Sequence, residues 1–319
     1  MQNLGLLAAL LGLGFASPAM AQTKAPAGGI AISDGQKVAF LGDSITSCGF
    51  TNPAGYVNLV ISGLNTCGLK VTPIPAGGSG NNSKNLLARI GKDVIAKKPD
   101  WVAISCGIND VSYPQNACAL DPFRANMTAM VEQCQTAGIR VMLLTATVFG
   151  EDPTNPKDQQ NNQQLIAYND VIRALAKEKK CLLADLNVRM QETLKTTQDR
   201  AAGSAKANYL TVDGLHMSPL GNEMMAEGVL SAFGLTDAQL KGVRERWDAM
   251  PDAMDFGKYV PNKIEVGKGT VVTMRQYKAL AAEAAKRNQS VSEMVNSTLD
   301  KAMDDLIKSA SKTQYQPHK

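Results

Sequence analysis

Two histidines are present in the 319-residue chain, and they lie in very different surroundings. His216 follows Asp213 by three residues, whereas His318 is the penultimate residue of a polar C-terminus. A carboxylate at this spacing can accept a hydrogen bond from the imidazole Nδ1–H and fix the tautomer of the ring. Ser44, in the run Gly42-Asp43-Ser44, offers the hydroxyl that such a pair can activate as a nucleophile. These three side chains together indicate a serine hydrolase.

Five short apolar segments alternate along the chain with segments of helical periodicity. The predicted strands are 37–41, 70–74, 101–106, 140–145 and 181–186, and the predicted helices are 56–64, 84–96, 122–135, 164–179 and 219–233. This alternation is typical of an α/β protein with a parallel sheet between two helical layers, whose sites lie at the carboxyl ends of the strands. Ser44, Gly80 and Asn109 follow the first three strands, and His216 precedes the last helix. We therefore expect all four residues at one edge of the sheet.

Four motifs resemble the sequence blocks of the GDSL/SGNH hydrolases, in the order of that family, within residues 36–234. They are FLGDSIT at 40–46, AGGSGNNS at 76–83, GIND at 107–110 and DGLH at 213–216. The resemblance implies a flavodoxin-like three-layer α/β fold and hydrolysis of carboxylic esters without a metal or cofactor. It makes Ser44 the nucleophile, His216 the general base and Asp213 the carboxylate that orients the base. It assigns the oxyanion hole to the backbone N–H groups of Ser44 and Gly80 and to the side-chain amide of Asn109.

Elementary chemistry agrees with these roles. The negative oxygen of a tetrahedral intermediate needs two or three preorganised donors. Glycine at position 80 allows close approach of the backbone, and the Asn109 amide is a donor that cannot titrate. Each residue also fits a purely structural role: Ser44 as a helix N-cap, Gly80 and Asn109 as loop residues, and Asp213 as part of a tight turn. Thr46 replaces the second glycine of a nucleophile elbow, which argues against the α/β-hydrolase fold.

The glycines of the second motif also admit a dinucleotide-binding interpretation, because the spacing Gly78-x-Gly80-x-x-Ser83 follows a predicted strand and precedes a predicted helix. Three features oppose it. The third position is serine, prolines interrupt the preceding strand, and Lys97-Lys98 stands where the ribose-binding carboxylate is expected. The hydrolase interpretation is therefore preferred.

The N-terminal 21 residues resemble an export signal. An apolar run at 4–17 is followed by Ala19-Met20-Ala21, a small-x-small cleavage site, although the preceding residues carry no Lys or Arg. The run is short for a membrane span, and the alternatives are a membrane anchor or a buried helix. We expect a periplasmic or secreted protein without stable membrane insertion. The net charge of +4 is too modest to indicate nucleic-acid binding.

Six cysteines raise the question of disulfides in an exported protein. Cys48 follows the first predicted strand and Cys118 the third, so both belong to the edge that carries the site residues. With strand order 2-1-3-4-5 these strands are neighbours, which makes Cys48–Cys118 the most plausible bridge. Six reduced thiols are an equally open alternative.

The chain divides into a hydrolase domain at 22–234, a helical or irregular linker at 235–268 and a C-terminal extension at 269–319. A short strand at 270–274 and two amphipathic helical patterns resemble a ribbon-helix-helix unit, which usually binds DNA. The simpler interpretation is a helical extension that packs on the hydrolase domain or dimerises it through residues 269–308, without nucleic acid.

The sequence therefore predicts a serine esterase that works through an acyl-enzyme. Aromatic residues make up only 5% of the chain, which favours short acyl groups over a deep acyl groove. Removal of O-acetyl groups from glycans is the leading expectation. A lipase, arylesterase or thioesterase of the same family is an alternative, and a catalytically silent binding module that acts through its C-terminal extension is another.

Overall fold

A computed structural model describes residues 29–112, 117–200, 208–249, 264–267 and 270–313. The predicted export signal at 1–21 lies outside these residues. The predicted parallel sheet is confirmed, with all strands parallel in the order β2-β1-β3-β4-β5. Its strands are β1 (Lys37–Gly42), β2 (Thr72–Gly77), β3 (Trp101–Ser105), β4 (Arg140–Leu144) and β5 (Leu182–Ala184).

Helices cover both faces of the sheet. They are α1 (Ser44–Thr51), α2 (Tyr56–Thr66), α3 (Ser83–Asp93), α4 (Ile108–Ser112), α5 (Leu120–Thr136), α6 (Pro156–Glu178), α7 (Leu186–Arg200), α8 (Pro219–Phe233), α9 (Asp237–Ala249), α10 (Met274–Lys286) and α11 (Val291–Thr313). Side chains alternate along each strand, so Val38 and Phe40 pack with α1, α2 and α8, whereas Ala39 and Leu41 pack with α3, α5 and α6. The sheet thus lies between two helical layers, with one buried core on each face, as expected for a three-layer fold.

Several element boundaries differ from the sequence prediction. Strand β2 begins two residues later than predicted and runs through Pro73 and Pro75, which an edge strand tolerates. Helix α6 begins at Pro156, eight residues earlier than predicted, because Asn155 caps a polar first part that shows no apolar periodicity. Helices α1, α4 and α7 were not predicted, since α1 and α4 are short and α7 is largely polar.

The C-terminal helices pack on the α8 side of the sheet. Helix α9 contacts α2, and the indole N–H of Trp247 donates to Ser62 Oγ at 3.1 Å. Helix α10 contacts α8 and α9, where Lys278 Nζ lies 2.8 Å from Glu223 and 2.9 Å from Asp248. An antiparallel hairpin of β6 (Ile264–Gly267) and β7 (Thr270–Val272) contacts α11 and α10. Strand β6 lies in the segment that was predicted as a linker.

In the residues that the structure describes, no helix is both long enough and apolar enough to cross a membrane.

The predicted Cys48–Cys118 bridge is wrong, since all six cysteines are free thiols. Cys48 lies on α1, on one side of the sheet, whereas Cys118 contacts Ser83 Oγ and Asn126 Nδ2 on the opposite side. Loops that share one edge of a sheet can leave it toward either face, and the order of strands and loops does not determine which face.

Candidate active site

The structure brings the three predicted triad residues into one chain of hydrogen bonds. Ser44 Oγ lies 2.9 Å from His216 Nε2, and His216 Nδ1 lies 2.7 Å from Asp213 Oδ2. With the ring proton on Nδ1, the imidazole donates to Asp213 and its free Nε2 accepts from the Ser44 hydroxyl. The His216 side chain is 32% exposed and that of Asp213 52%, so the chain of groups is open to solvent.

Asp213 and His216 sit at the tip of a small hairpin formed by residues 210–218, which we call the Asp–His hairpin. Its two arms are joined by hydrogen bonds from Ser218 N to Leu210 O and from Val212 N to His216 O. At the tip, Asp213 Oδ1 accepts from the backbone N–H groups of Leu215 and His216. The aspartate is therefore held on both oxygens, one by the turn and one by the imidazole.

The pKa of Asp213 reflects this arrangement. Partial burial raises it, but the hydrogen bonds from the His216 ring and from the turn outweigh burial and leave the pKa below its ordinary value. Asp213 is consequently ionised throughout the neutral range and can stabilise a protonated imidazole.

Ser44 is the first residue of α1, and Asp43 separates it from the end of β1. The N-cap is Asp43, whose Oδ1 accepts from Ile45 N at 2.9 Å, so the N-cap role considered for Ser44 belongs to its neighbour. The pKa of the buried Asp43 is raised to about 6, chiefly by loss of solvation. Gly42 is required by close packing, because a Cβ there would lie 2.2 Å from Thr46 Oγ1.

Gly80 and Asn109 follow β2 and β3 as predicted, and their loops are hydrogen-bonded to each other. The Asn109 amide donates to Asn81 O at 3.0 Å, next to Gly80. Gly80 adopts a positive φ of 71°, which is the conformational reason for glycine here, while a Cβ would meet no atom within 4 Å. The N–H of Ser44 lies in the first turn of α1, where no intrahelical acceptor exists. The Asn109 amide thus lies beside the loop that carries Gly80.

Two further contacts fix these loops. Arg89 donates from Nε to Asn81 Oδ1 and from its terminal nitrogen to Gly42 O, both at 2.8 Å, and so joins the second loop to the end of β1. Asp110 accepts from Ser83 N and from Ser83 Oγ, the latter at 2.6 Å. Asp110 thus ties α4 to the start of α3. The role of Arg89 was not predicted from the sequence.

No group of three His, Cys, Asp or Glu side chains that could hold a metal ion occurs within the described ranges.

Comparison with known proteins identifies the family. The GDSL-like lipase/acylhydrolase family model matches residues 40–224. An acetylxylan esterase of Geobacillus stearothermophilus is 30% identical over 222 residues, which cover 64% of this chain and 96% of the relative. The solved structure of Axe2, an acetylxylan esterase of that organism, aligns with 30% identity and a TM-score of 0.56 over 65% of this chain and 98% of its own. An α/β hydrolase from the metagenome of Lake Arreo shares the fold at 24% identity and a TM-score of 0.55, over 65% of this chain and 98% of its own.

The chain is a hydrolase of ester bonds. It belongs to the GDSL-like lipase/acylhydrolase family. Similar solved structures include catalytic mutants of Axe2 in which a serine, an aspartate and a histidine are each replaced by alanine, the aspartate three positions before the histidine.

Proposed function

We propose that Ser44, His216 and Asp213 are the catalytic triad of an esterase that removes short acyl groups, with acetyl esters of glycans as the natural substrates. The observation that carries the assignment is the continuous hydrogen-bonded chain from Ser44 Oγ through His216 to Asp213. The catalytic mutants of Axe2 support it, because their Asp and His have the same three-residue spacing as Asp213 and His216.

The chemistry follows from the geometry. The Ser44 oxygen attacks the ester carbonyl while His216 Nε2 takes the hydroxyl proton, and Asp213 stabilises the resulting imidazolium. The C–O bond to the alcohol then breaks, and the imidazolium returns its proton to the departing oxygen. Water repeats the sequence on the acyl-enzyme and releases the acid. The N–H groups of Ser44 and Gly80 and the Asn109 amide are the proposed donors to the carbonyl oxygen in both tetrahedral intermediates.

The substrate proposal rests on the acetylxylan esterase of G. stearothermophilus, because 96% of that relative aligns with this chain at 30% identity. A triad that is partly open to solvent also suits an acetyl group on a bulky polysaccharide, because such a substrate needs access for the glycan and little room for the acyl chain.

The test is a panel of p-nitrophenyl esters from acetate to decanoate, followed by release of acetate from acetylated xylo-oligosaccharides. We expect the highest kcat/KM with acetate, and Ser44→Ala serves as the inactive control. A fluorophosphonate should label the wild type and leave Ser44→Ala unlabelled. A preference for decanoate would contradict the proposal and indicate a lipase. Acetyl thioesters are assayed beside the oxygen esters, and a preference for them would indicate a thioesterase. Absence of turnover and labelling would favour a binding module.

We also propose that the mature protein begins at Gln22 and is periplasmic or secreted. The support is the apolar run at 4–17 and the small residues Ala19 and Ala21. N-terminal sequencing of the exported protein checks it, and an intact Met1 in that fraction would contradict cleavage.

We further propose that two copies associate through residues 269–308. Met303, Leu306 and Ile307 are each more than half exposed on α11. Sedimentation equilibrium tests this proposal, with Leu306→Glu and Ile307→Glu combined as the variant expected to be monomeric.

A further inference from the structure

Glu151 is a buried carboxylate, 8% exposed, that lies against the base of the Asp–His hairpin. Its Oε2 accepts from Tyr209 N at 2.7 Å and from Leu210 N at 3.0 Å. Its Oε1 accepts from Leu210 N at 2.9 Å, from Thr211 N at 2.6 Å and from the Thr211 hydroxyl at 2.5 Å. One side chain therefore holds three consecutive backbone N–H groups at the start of the segment that ends in Asp213 and His216.

The contacts continue from this base to the tip of the hairpin. Thr211 Oγ1, which donates to Glu151, accepts in turn from Gly214 N at 3.2 Å. Gly150, the neighbour of Glu151, donates its N–H to Gly214 O at 2.7 Å. The Gly214 carbonyl is thus bonded directly to the loop after β4, and the Gly214 N–H is linked to Glu151 of that loop through the Thr211 hydroxyl. Gly214 lies between Asp213 and His216 in the chain.

The donors around Glu151 require an acceptor at both carboxyl oxygens. Each oxygen faces two backbone N–H groups, so an amide nitrogen at either position would place its hydrogens against them. An ionised carboxylate satisfies all of these donors at once, and such charge-assisted hydrogen bonds are among the stronger ones in proteins. Glu151 is therefore suited to this place in a way that glutamine is not.

We propose that Glu151 is a positioning residue for ester hydrolysis, which holds the Asp–His hairpin so that His216 Nε2 meets Ser44 Oγ. The two ends of the triad come from distant parts of the chain, since Ser44 follows β1 and His216 lies 172 residues later. The 2.9 Å contact between them therefore depends on how the hairpin is anchored. Misplacement of a catalytic group by about 1 Å can cost on the order of 10²-fold in rate.

The test compares Glu151→Gln with Glu227→Gln. Glu227 is a matched control because it is also a largely buried carboxylate, but it pairs with Arg189 and Arg244 on the outer side of α8. With p-nitrophenyl acetate we expect Glu151→Gln to lower kcat about 10²-fold with KM nearly unchanged, since the ester contacts remain. We expect Glu227→Gln to lower the melting temperature and to leave kcat unchanged.

A second readout needs no substrate. The Nδ1 proton of His216 should give a strongly downfield NMR resonance in the wild type, because it lies in a 2.7 Å hydrogen bond to Asp213. We expect this resonance to broaden or move upfield in Glu151→Gln and to persist in Glu227→Gln. If Glu151→Gln does not fold, Thr211→Val removes only the hydroxyl relay to Gly214 and should show the same two effects at reduced size.

A double-mutant cycle separates positioning from stability. In an Asp213→Asn background, Glu151→Gln should cost much less than in the wild type, because the group that it positions is already impaired. Full additivity, or a Glu151→Gln enzyme with wild-type kcat and an unmoved His216 resonance, would overturn the inference. This inference rests on the proposed role of Ser44. If the wild type did not hydrolyse p-nitrophenyl acetate, that role would be contradicted. The comparison of the His216 resonance would still test whether Glu151 holds the Asp–His hairpin.

Discussion

Asp43 gives the protein a dependence of stability on pH that one substitution should remove. The carboxylate is buried at the start of α1, and burial raises its pKa from 3.8 to about 6. The folded protein therefore binds this proton more tightly than the unfolded chain, so the free energy of unfolding falls as the pH rises from 3.8 through 6. Asn at position 43 retains an acceptor for Ile45 N–H and is an equally good N-cap, but it carries no charge to desolvate.

The size of the effect follows from the shift. A difference of about 2.2 pKa units corresponds to about 3 kcal/mol at about 1.36 kcal/mol per unit. About 2 kcal/mol of this loss of stability falls between roughly pH 4.5 and 7, an interval in which the wild type and Asp43→Asn can both be measured. We therefore expect the free energy of unfolding of Asp43→Asn to rise by about 2 kcal/mol relative to that of the wild type as the pH rises from about 4.5 to 7. A difference in stability between the two proteins that is the same at every pH does not affect this expectation.

Urea unfolding followed by tryptophan fluorescence measures this difference, since Trp101 and Trp247 are both buried. Asp237→Asn, at an exposed position in the first turn of α9, is the control for the removal of a carboxylate near a helix start. If the difference in the free energy of unfolding between the wild type and Asp43→Asn stays constant over this pH interval, burial does not raise the pKa of Asp43.

Three further outcomes are expected. His216→Ala should abolish esterase activity at an unchanged melting temperature, and wild-type turnover in this variant would refute the proposed triad, because His318 is the only other histidine. Asn109→Ala should lower kcat by about 10²–10³, the usual loss for one oxyanion donor, and an unchanged kcat would remove Asn109 from the oxyanion hole. Lys278→Met should destabilise the fold by about 3–5 kcal/mol near pH 8, because it leaves the buried Glu223 carboxylate without its partner. The loss should be smaller near pH 5 in thermal melts, since burial raises the pKa of Glu223 to about 7 and the carboxyl is then protonated; an equal loss at both pH values would argue against this cause.

The sheet, which the structure confirms, and the candidate site residues could be predicted from sequence for a definite reason. Ser44, Gly80 and Asn109 come shortly after apolar strand patterns, and parallel strands bring their carboxyl ends to one edge. Asp213 and His216 are close in sequence, so their contact is local and depends on spacing. In these cases the chemistry and the position of a residue can be inferred from the few residues that are its neighbours in the sequence.

The supporting residues could not be found in this way. Glu151 and Arg89 act across 58–60 and 47 positions of the chain, respectively, and nothing in their neighbourhoods distinguishes them from other charged residues. The predicted cysteine bridge failed because the edge of the sheet can be inferred from loop order, but the face toward which each loop leaves cannot. Strand β6 was not predicted because it is only four residues long; in the structure it pairs with β7 and contacts α11.

The two prolines of β2 have a consequence for how copies of the protein can meet. Thr72 and Gly78 donate their N–H groups toward β1, so Pro73 and Pro75, at alternate positions, direct their nitrogens outward. The outer side of this edge therefore lacks two of the donors that a strand from another molecule would need. The opposite edge, β5, is only three residues long. Both borders of the five-stranded sheet are therefore poor templates for strand addition, which disfavours aggregation of the protein through this sheet.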